Sequence, residues 1–328
     1  MDKSHNQKKL LTFEPLSQIS SEGFLCTRQG SLTYPPFYNL ALTSTLTQSW
    51  DTQPNDIFVC THQKVGTHLT KKYVVEILRT THPLPVLHPM ANGDIGHGAV
   101  PWPEVLISQH GEDAFRDFIA STENTPRVWY LHNYSNALPF RSIHPDSKFI
   151  YTFRDPRGAA VSQYFFYCGH PNLEVNPQLS IDNFLSLFLN GKLYFGDYHQ
   201  HVLDWLNGCH GAIASKQLLC MRFEDLVTDK INSVQKIAAF LFPHIALDEH
   251  MTMAISNTTE FETMKQSLTH TPGSFHFNPS TFFRAGTTDD WKQHLNARQQ
   301  ETIDAKTRSC WGGQDLSCPQ LYFEQQSL

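Results

Sequence analysis

The seven cysteines (Cys26, Cys60, Cys168, Cys209, Cys220, Cys310, Cys318) include no C-x-x-C pair, and their odd number argues against a complete disulfide framework. Reduced, mostly buried thiols are expected instead. The chain has no run of 18 apolar residues, and its start, Met1-Asp2-Lys3-Ser4-His5-Asn6, continues polar into Gln7-Lys8-Lys9. Neither a membrane-spanning helix nor a secretory leader is expected, so the reading is a soluble cytoplasmic protein with no membrane partner. Basic residues are also few: 25 against 31 acidic ones, for a formal charge of −6, which gives no reason to expect a nucleic-acid partner. Internal repeats and extended low-complexity tracts are missing too, which argues against a solenoid.

The 328 residues, 40% of them apolar, can bury a large core and suit one big α/β domain. Residues 1–48 read as an N-terminal arm, 49–310 as the domain and 311–328 as a C-terminal tail. Strands are expected at 56–61, 128–131, 148–153 and 217–221, with amphipathic helical stretches between them; Tyr73, Val74, Ile77 and Leu78 recur at helical spacing in the stretch 67–79. Alternation of this kind implies a three-layer α/β/α arrangement around a central parallel sheet, with ligands at the carboxyl ends of the strands. Residues 80–103, rich in Pro and Gly, read as a loop that is either functional or disordered, with an acceptor-pocket lid as the favoured reading. A second loop at 269–279 is expected to close beside it.

Four segments carry the chemistry. The strand Asp56-Ile57-Phe58-Val59-Cys60-Thr61 runs through His62-Gln63 into Lys64-Val65-Gly66-Thr67-His68-Leu69, a turn that opens a helix. Backbone N–H groups converge at such a turn and the helix dipole favours negative charge, so this is a phosphate cradle: Gly66 permits close approach, Thr67 adds a hydroxyl and Lys64 a cation. The alternative is an ordinary strand-to-helix connection. In the nucleotide-triphosphatase loop Lys follows the last Gly, whereas Lys64 precedes Gly66 by two; that order and the lack of an evident magnesium carboxylate count against a kinase-like phosphoryl transferase.

The second segment, Pro126-Arg127-Val128-Trp129-Tyr130-Leu131-His132, is a strand ending in a histidine ahead of a proline-bounded loop. The third, Lys148-Phe149-Ile150-Tyr151-Thr152-Phe153-Arg154-Asp155-Pro156, leads into a helix carrying Ser162, and a guanidinium and a hydroxyl so placed can converge on one phosphate. The bland reading pairs Arg154 with Asp155. The fourth is Phe282-Phe283-Arg284-Ala285-Gly286-Thr287-Thr288-Asp289-Asp290-Trp291-Lys292, whose acidic pair also suits a plain helix start with Trp291 in the core.

In order and spacing these blocks resemble the cytosolic-type sulfotransferases, over roughly residues 50 to 300. The resemblance implies a P-loop nucleotide-hydrolase-like sulfotransferase fold that moves a sulfonate from 3′-phosphoadenosine 5′-phosphosulfate (PAPS) to a hydroxyl or amine of a small-molecule acceptor, leaving 3′-phosphoadenosine 5′-phosphate (PAP), with no metal and with a homodimer permitted. It implies His132 as catalytic base, with His68 as its rival, and Lys64 as the group neutralising the leaving phosphate. Lys64, Val65, Gly66, Thr67, His68 and Leu69 would hold the 5′ end; Arg154, Ser162, Phe283, Arg284, Ala285 and Gly286 the 3′-phosphate; Phe223, Thr259 and Phe261 the remainder of the nucleotide. Four positions depart from the pattern: Tyr130 for Lys, Leu69 for Trp, Phe223 for Tyr and Ala285 for Lys. These departures keep a second reading open, a PAP- or PAPS-binding protein that has lost catalysis.

Overall fold

The structure is a computed structural model and describes residues 18–19, 24–170, 173, 175–176, 178–207, 213–269, 284, 286–312 and 315–319. All six residues of β4 (Asp56–Thr61) are buried, as are all five of β5 (Arg127–Leu131) and five of six in β6 (Lys148–Phe153). Runs of that kind belong to parallel strands covered on both faces. With β7 (Leu218–Arg222) they form a parallel sheet in the order β5-β4-β6-β7. The register sets Val59 beside both Tyr130 and Ile150, and Thr61 beside Thr152.

Helices cover the two faces. On one, α2 (Thr67–Thr81) packs on β4, β5, α8 (Lys230–Leu241) and α9 (Glu249–Thr258). In the other group, α4 (Pro156–Gly169) packs on α5 (Ile181–Leu189) and α11 (Ala297–Trp311), which also meets α6 (Tyr198–Leu206). The connection from β4 leads to β5 on one side, while that from β6 leads to β7 on the other. The chain therefore diverges between β4 and β6, and a crevice at the carboxyl ends of these strands is the place where such sheets bind ligands. At the opposite end a buried ion pair joins Arg127 Nε to Asp56 Oδ1 at 2.7 Å, and Trp129 Nε1 donates to the same oxygen at 3.0 Å.

The remaining described elements are β1 (Gln18–Ile19), β2 (Leu25–Gln29), β3 (Leu32–Tyr34), α1 (Leu40–Ser49), α3 (Pro103–Ser121), α7 (Phe223–Thr228) and α10 (Phe261–Thr269). The expected strands at 56–61, 128–131, 148–153 and 217–221 and the helix at 67–79 all form, within two residues at each end. Residues 25–48, expected in an arm, form β2, β3 and all but the last residue of α1, and Phe24 is fully buried against the rings of Tyr167 and Tyr194. Tyr38 packs on Trp102 and Phe195. Between α2 and α3 the chain is irregular, as expected for 80–103, and the expected second loop at 269–279 lies outside the described residues except for its first.

Candidate active site

The loop after β4 is fastened by threonines. Thr61 Oγ1 meets Thr67 Oγ1 at 2.8 Å, while Thr70 Oγ1 donates to the Gly66 carbonyl at 3.1 Å and meets Thr152 Oγ1 at 2.9 Å. These contacts tie both ends of the turn to β4 and β6. Gly66 caps α2 at φ 111°, in the left-handed region, and a Cβ there would come 2.7 Å from Phe223 Cδ2. Only glycine fits both the backbone angle and the close approach of that ring. Lys64 also has a positive φ, 64°, an uncommon state for a residue with a side chain and one that a rigid loop must impose.

Three cations converge on this loop. Burial pushes the Lys64 ammonium down to about 7, with Arg154 and Arg284 repelling its charge further. Arg154 is buried at the end of β6, where its Nη1 donates to the Lys64 carbonyl at 3.5 Å and its Nη2 to the Thr287 carbonyl at 3.3 Å. Its guanidinium lies 4.3 Å from the centre of the Phe223 ring. The pairing of Arg154 with Asp155 does not form: Asp155 caps α4, accepting from the Arg157 backbone N–H at 2.8 Å, and binds the Arg157 guanidinium at 2.7 Å. Arg284 is held by an ion pair to Asp290 and by His294 Nε2, 2.8 Å from its Nη1.

His132 stands at the end of β5. Its Nδ1 lies 2.8 Å from the Thr61 carbonyl, an oxygen that can only accept, so Nδ1 carries the proton and Nε2 is the lone-pair nitrogen. Trp102 packs edge-on to the imidazole, ring centres 4.8 Å apart, and Phe195 lies at 5.2 Å. Burial in this aromatic setting pushes His132 down to about 4, against the opposing hydrogen bond to Thr61, so the ring is neutral at pH 7.

A cavity of about 750 Å³ joins these parts. Lys64, Gly66, Thr67, His68, Leu69, His132, Arg154, Ser162, Phe223, Thr259, Phe261, Arg284 and Gly286 all line it. Val65 does not; its side chain is in the core and only its backbone belongs to the loop. Phe283 and Ala285 lie outside the described residues. The irregular segment between α2 and α3 supplies His97 and Trp102 to the wall, and the N-terminal region supplies Pro35 and Phe37.

Comparison with known proteins decides the family: residues 54–315 match the model of the sulfotransferase domain. The chain belongs to the sulfotransferase family. It is 27% identical over 253 residues to a guinea pig (Cavia porcellus) 3-alpha-hydroxysteroid sulfotransferase, covering 76% of this chain and 81% of the relative. It is 25% identical to cytosolic sulfotransferase 1 of Arabidopsis thaliana, covering 95% of each chain. The crystal structure of mouse sulfotransferase SULT7A1 complexed with PAP superposes with a TM-score of 0.66 at 22% identity, over 92% of this chain and 99% of that one, which shows the shared fold.

Several residues of this sulfotransferase site had no sequence signal of their own. Thr287 offers only its carbonyl to Arg154. Asp290, in the pair read as a plain helix start, orients Arg284. Phe166, whose ring lies 5.0 Å from Lys64 Nζ, sits one turn beyond Ser162 on α4, where its 3.6-residue spacing looks like ordinary core. His97 and Trp102 sit in the Pro/Gly-rich segment, where spacing alone could not place them.

Proposed function

We propose that this sulfotransferase transfers the sulfonate of PAPS to a hydroxyl or amine of a small acceptor by in-line displacement, with His132 as the base. The observation that carries this reading is the convergence of Lys64, Arg154 and Arg284 on one cavity that also holds His132 in the tautomer of a base. The residues fit a nucleotide with phosphates at two ends. The turn amides, Gly66 and Lys64 suit the 5′ end, and Arg154, Ser162 and Arg284 suit the 3′-phosphate. Phe223, already stacked on the Arg154 guanidinium, together with Thr259 and Phe261 suits the base and ribose.

When bound, PAPS supplies the activated sulfonate. Lys64 contributes charge where negative charge builds on the departing phosphate, and its low proton affinity in the free protein is raised by an anion beside it. Nε2 of His132 takes the acceptor proton as the acceptor oxygen or nitrogen attacks sulfur. The Thr61 carbonyl holds Nδ1–H, so the ring can share the positive charge it gains without turning. Aromatic walls of Phe37, Trp102 and Tyr130 suit an apolar or phenolic acceptor.

The test is a transfer assay with sulfur-labelled PAPS against a panel of steroid, phenol and aryl-amine acceptors, comparing the wild type with His132→Ala and His68→Ala. Labelled product from the wild type and a loss of about 10²–10⁴-fold in His132→Ala is expected. Near-normal turnover in His132→Ala would move the base to His68. Tight PAP binding without turnover of any acceptor would favour a protein that binds the nucleotide and has lost catalysis.

A further inference from the structure

Behind the acceptor wall the fold buries a positive charge that the transfer just described does not use. Lys71 lies on α2, one turn beyond Thr67; its side chain is fully buried, and its ammonium has no hydrogen-bond partner among the described residues. It has a ring face instead, with Nζ 4.3 Å from the centre of Tyr130. An ammonium taken out of water without a carboxylate or carbonyl on it is costly, so its place there calls for a reason.

Its surroundings supply one. Tyr130 sets its hydroxyl 3.3 Å from His97 Nδ1, and its ring centre lies 5.7 Å from those of His97 and His132. Three imidazoles of the cavity, on three different segments, feel the Lys71 charge: His68 on α2, His97 in the irregular segment and His132 at the end of β5. Residue 130 is also the strand position at which the family resemblance puts a lysine.

We infer that Lys71 is a positioning residue for the transfer, an ammonium brought from α2 to the face of Tyr130 in exchange for a strand lysine, which acts through the imidazoles of the cavity and keeps His132 as an unprotonated acceptor. The inference rests on the reading of His132 as base. Lys71 does not line the cavity, so it acts by its field and not by touching substrate. A positive charge beside an imidazole lowers its proton affinity, and removing that charge raises it.

The other charged and titratable groups facing the pair come from every side. Asp94 of the irregular segment favours the charged form of Lys71, which burial pushes down to about 7. Glu104 of α3 acts on Tyr130, Lys64 on His68, and the buried His62 and His201 interact with His132. Burial is the larger cause of the low proton affinity of His132, and Lys71, charged below about 7, adds to it.

The experiment is an NMR titration of the His132 ring between pH 4 and 7 in the wild type, Lys71→Met and the double variant Lys71→Met/Tyr130→Lys, with PAP-induced stabilisation as the check on folding. If Lys71→Met does not fold, Lys71→Gln, which keeps a polar end without the charge, takes its place. His132 is expected to titrate at higher pH in the single variant and to return toward the wild-type point in the double one. In turnover, the acid limb of the kcat profile moves with it, and each pH unit of displacement costs about tenfold in neutral base on that limb. A His132 titration unchanged by loss of the Lys71 charge overturns the inference, and a displacement that persists in the double variant overturns the exchange of lysine positions. The NMR readout needs no turnover, so its failure is distinguishable from failure of the sulfotransfer reading itself.

Discussion

The two ends of the cavity are built differently. At the phosphate end charged groups are fastened in place: Asp155 is tied to Arg157, Arg284 to Asp290 and Arg154 to two carbonyls, while Thr70 ties Gly66 to Thr152. At the acceptor end the wall is aromatic, with Trp102, Phe195 and Tyr130 around His132, and the buried Glu104 carboxyl lies beside Trp102 and Asn133. Burial pushes Glu104 up to about 7. Burial drives the groups of this end toward their neutral forms, whereas the other end gathers the cations Lys64, Arg154 and Arg284. A site for an anionic nucleotide is charged in advance; a site that must accept a proton keeps its base neutral.

The largest expected effect breaks the comparison at the acceptor end. His132→Ala should lose about 10²–10⁴-fold in turnover while PAP stabilises the variant as it does the wild type, since the base touches only the acceptor side. Lys64→Met is next: about 10²–10³-fold in kcat together with weaker nucleotide binding, because this residue serves both ends. Gly66→Ala should be smaller and confined to the phosphate end. The left-handed φ of 111° and the 2.7 Å approach to Phe223 cost about 1–3 kcal/mol in strain, read as a lower melting temperature and about tenfold weaker PAP binding, with the acceptor KM little changed.

The smallest effect sharpens the comparison through pH. Lys64 loses its proton above about 7 in the free protein, and phosphate beside it restores the charged form. PAP binding should therefore take up a proton between pH 7 and 9 and weaken as pH rises through that range. Calorimetry in buffers of different ionisation enthalpy measures the uptake, and Lys64→Met should abolish it. His132, neutral above about 4, contributes nothing in that window.

The same division decides what could be read from the sequence. The phosphate end is local: Lys64, Gly66 and Thr67 lie within four residues, Arg154 and Ser162 within nine, and each block starts at the end of a hydrophobic strand whose pattern is legible. The sheet followed for the same reason, since fully buried parallel strands read as apolar runs. The acceptor end draws on Phe37, Lys71, His97, Trp102, Tyr130 and His132, which share no spacing and meet only through the topology. His132 is singled out by the family resemblance of its strand end, since nothing else marks it among 18 histidines. Lys71 lies on a helix whose apolar period runs through Tyr73, Val74, Ile77 and Leu78, and nothing in that period distinguishes a solvated lysine from one buried against a ring. Arg154 was ambiguous for a local reason, a neighbouring Asp155, and only the competing partner Arg157 resolved it.

The most direct measurement is a thermal-shift titration of the wild-type protein with PAP and, in parallel, with adenosine 5′-phosphate, which lacks the 3′-phosphate. Saturation at a hundredfold over the dissociation constant adds about 2.7 kcal/mol, enough to move the melting temperature by several degrees. The account predicts that shift for PAP and little for the nucleotide without the second phosphate, because Arg154, Ser162 and Arg284 then have nothing to hold. Equal shifts for the two nucleotides, or none for either, would contradict a site built around phosphates at both ends.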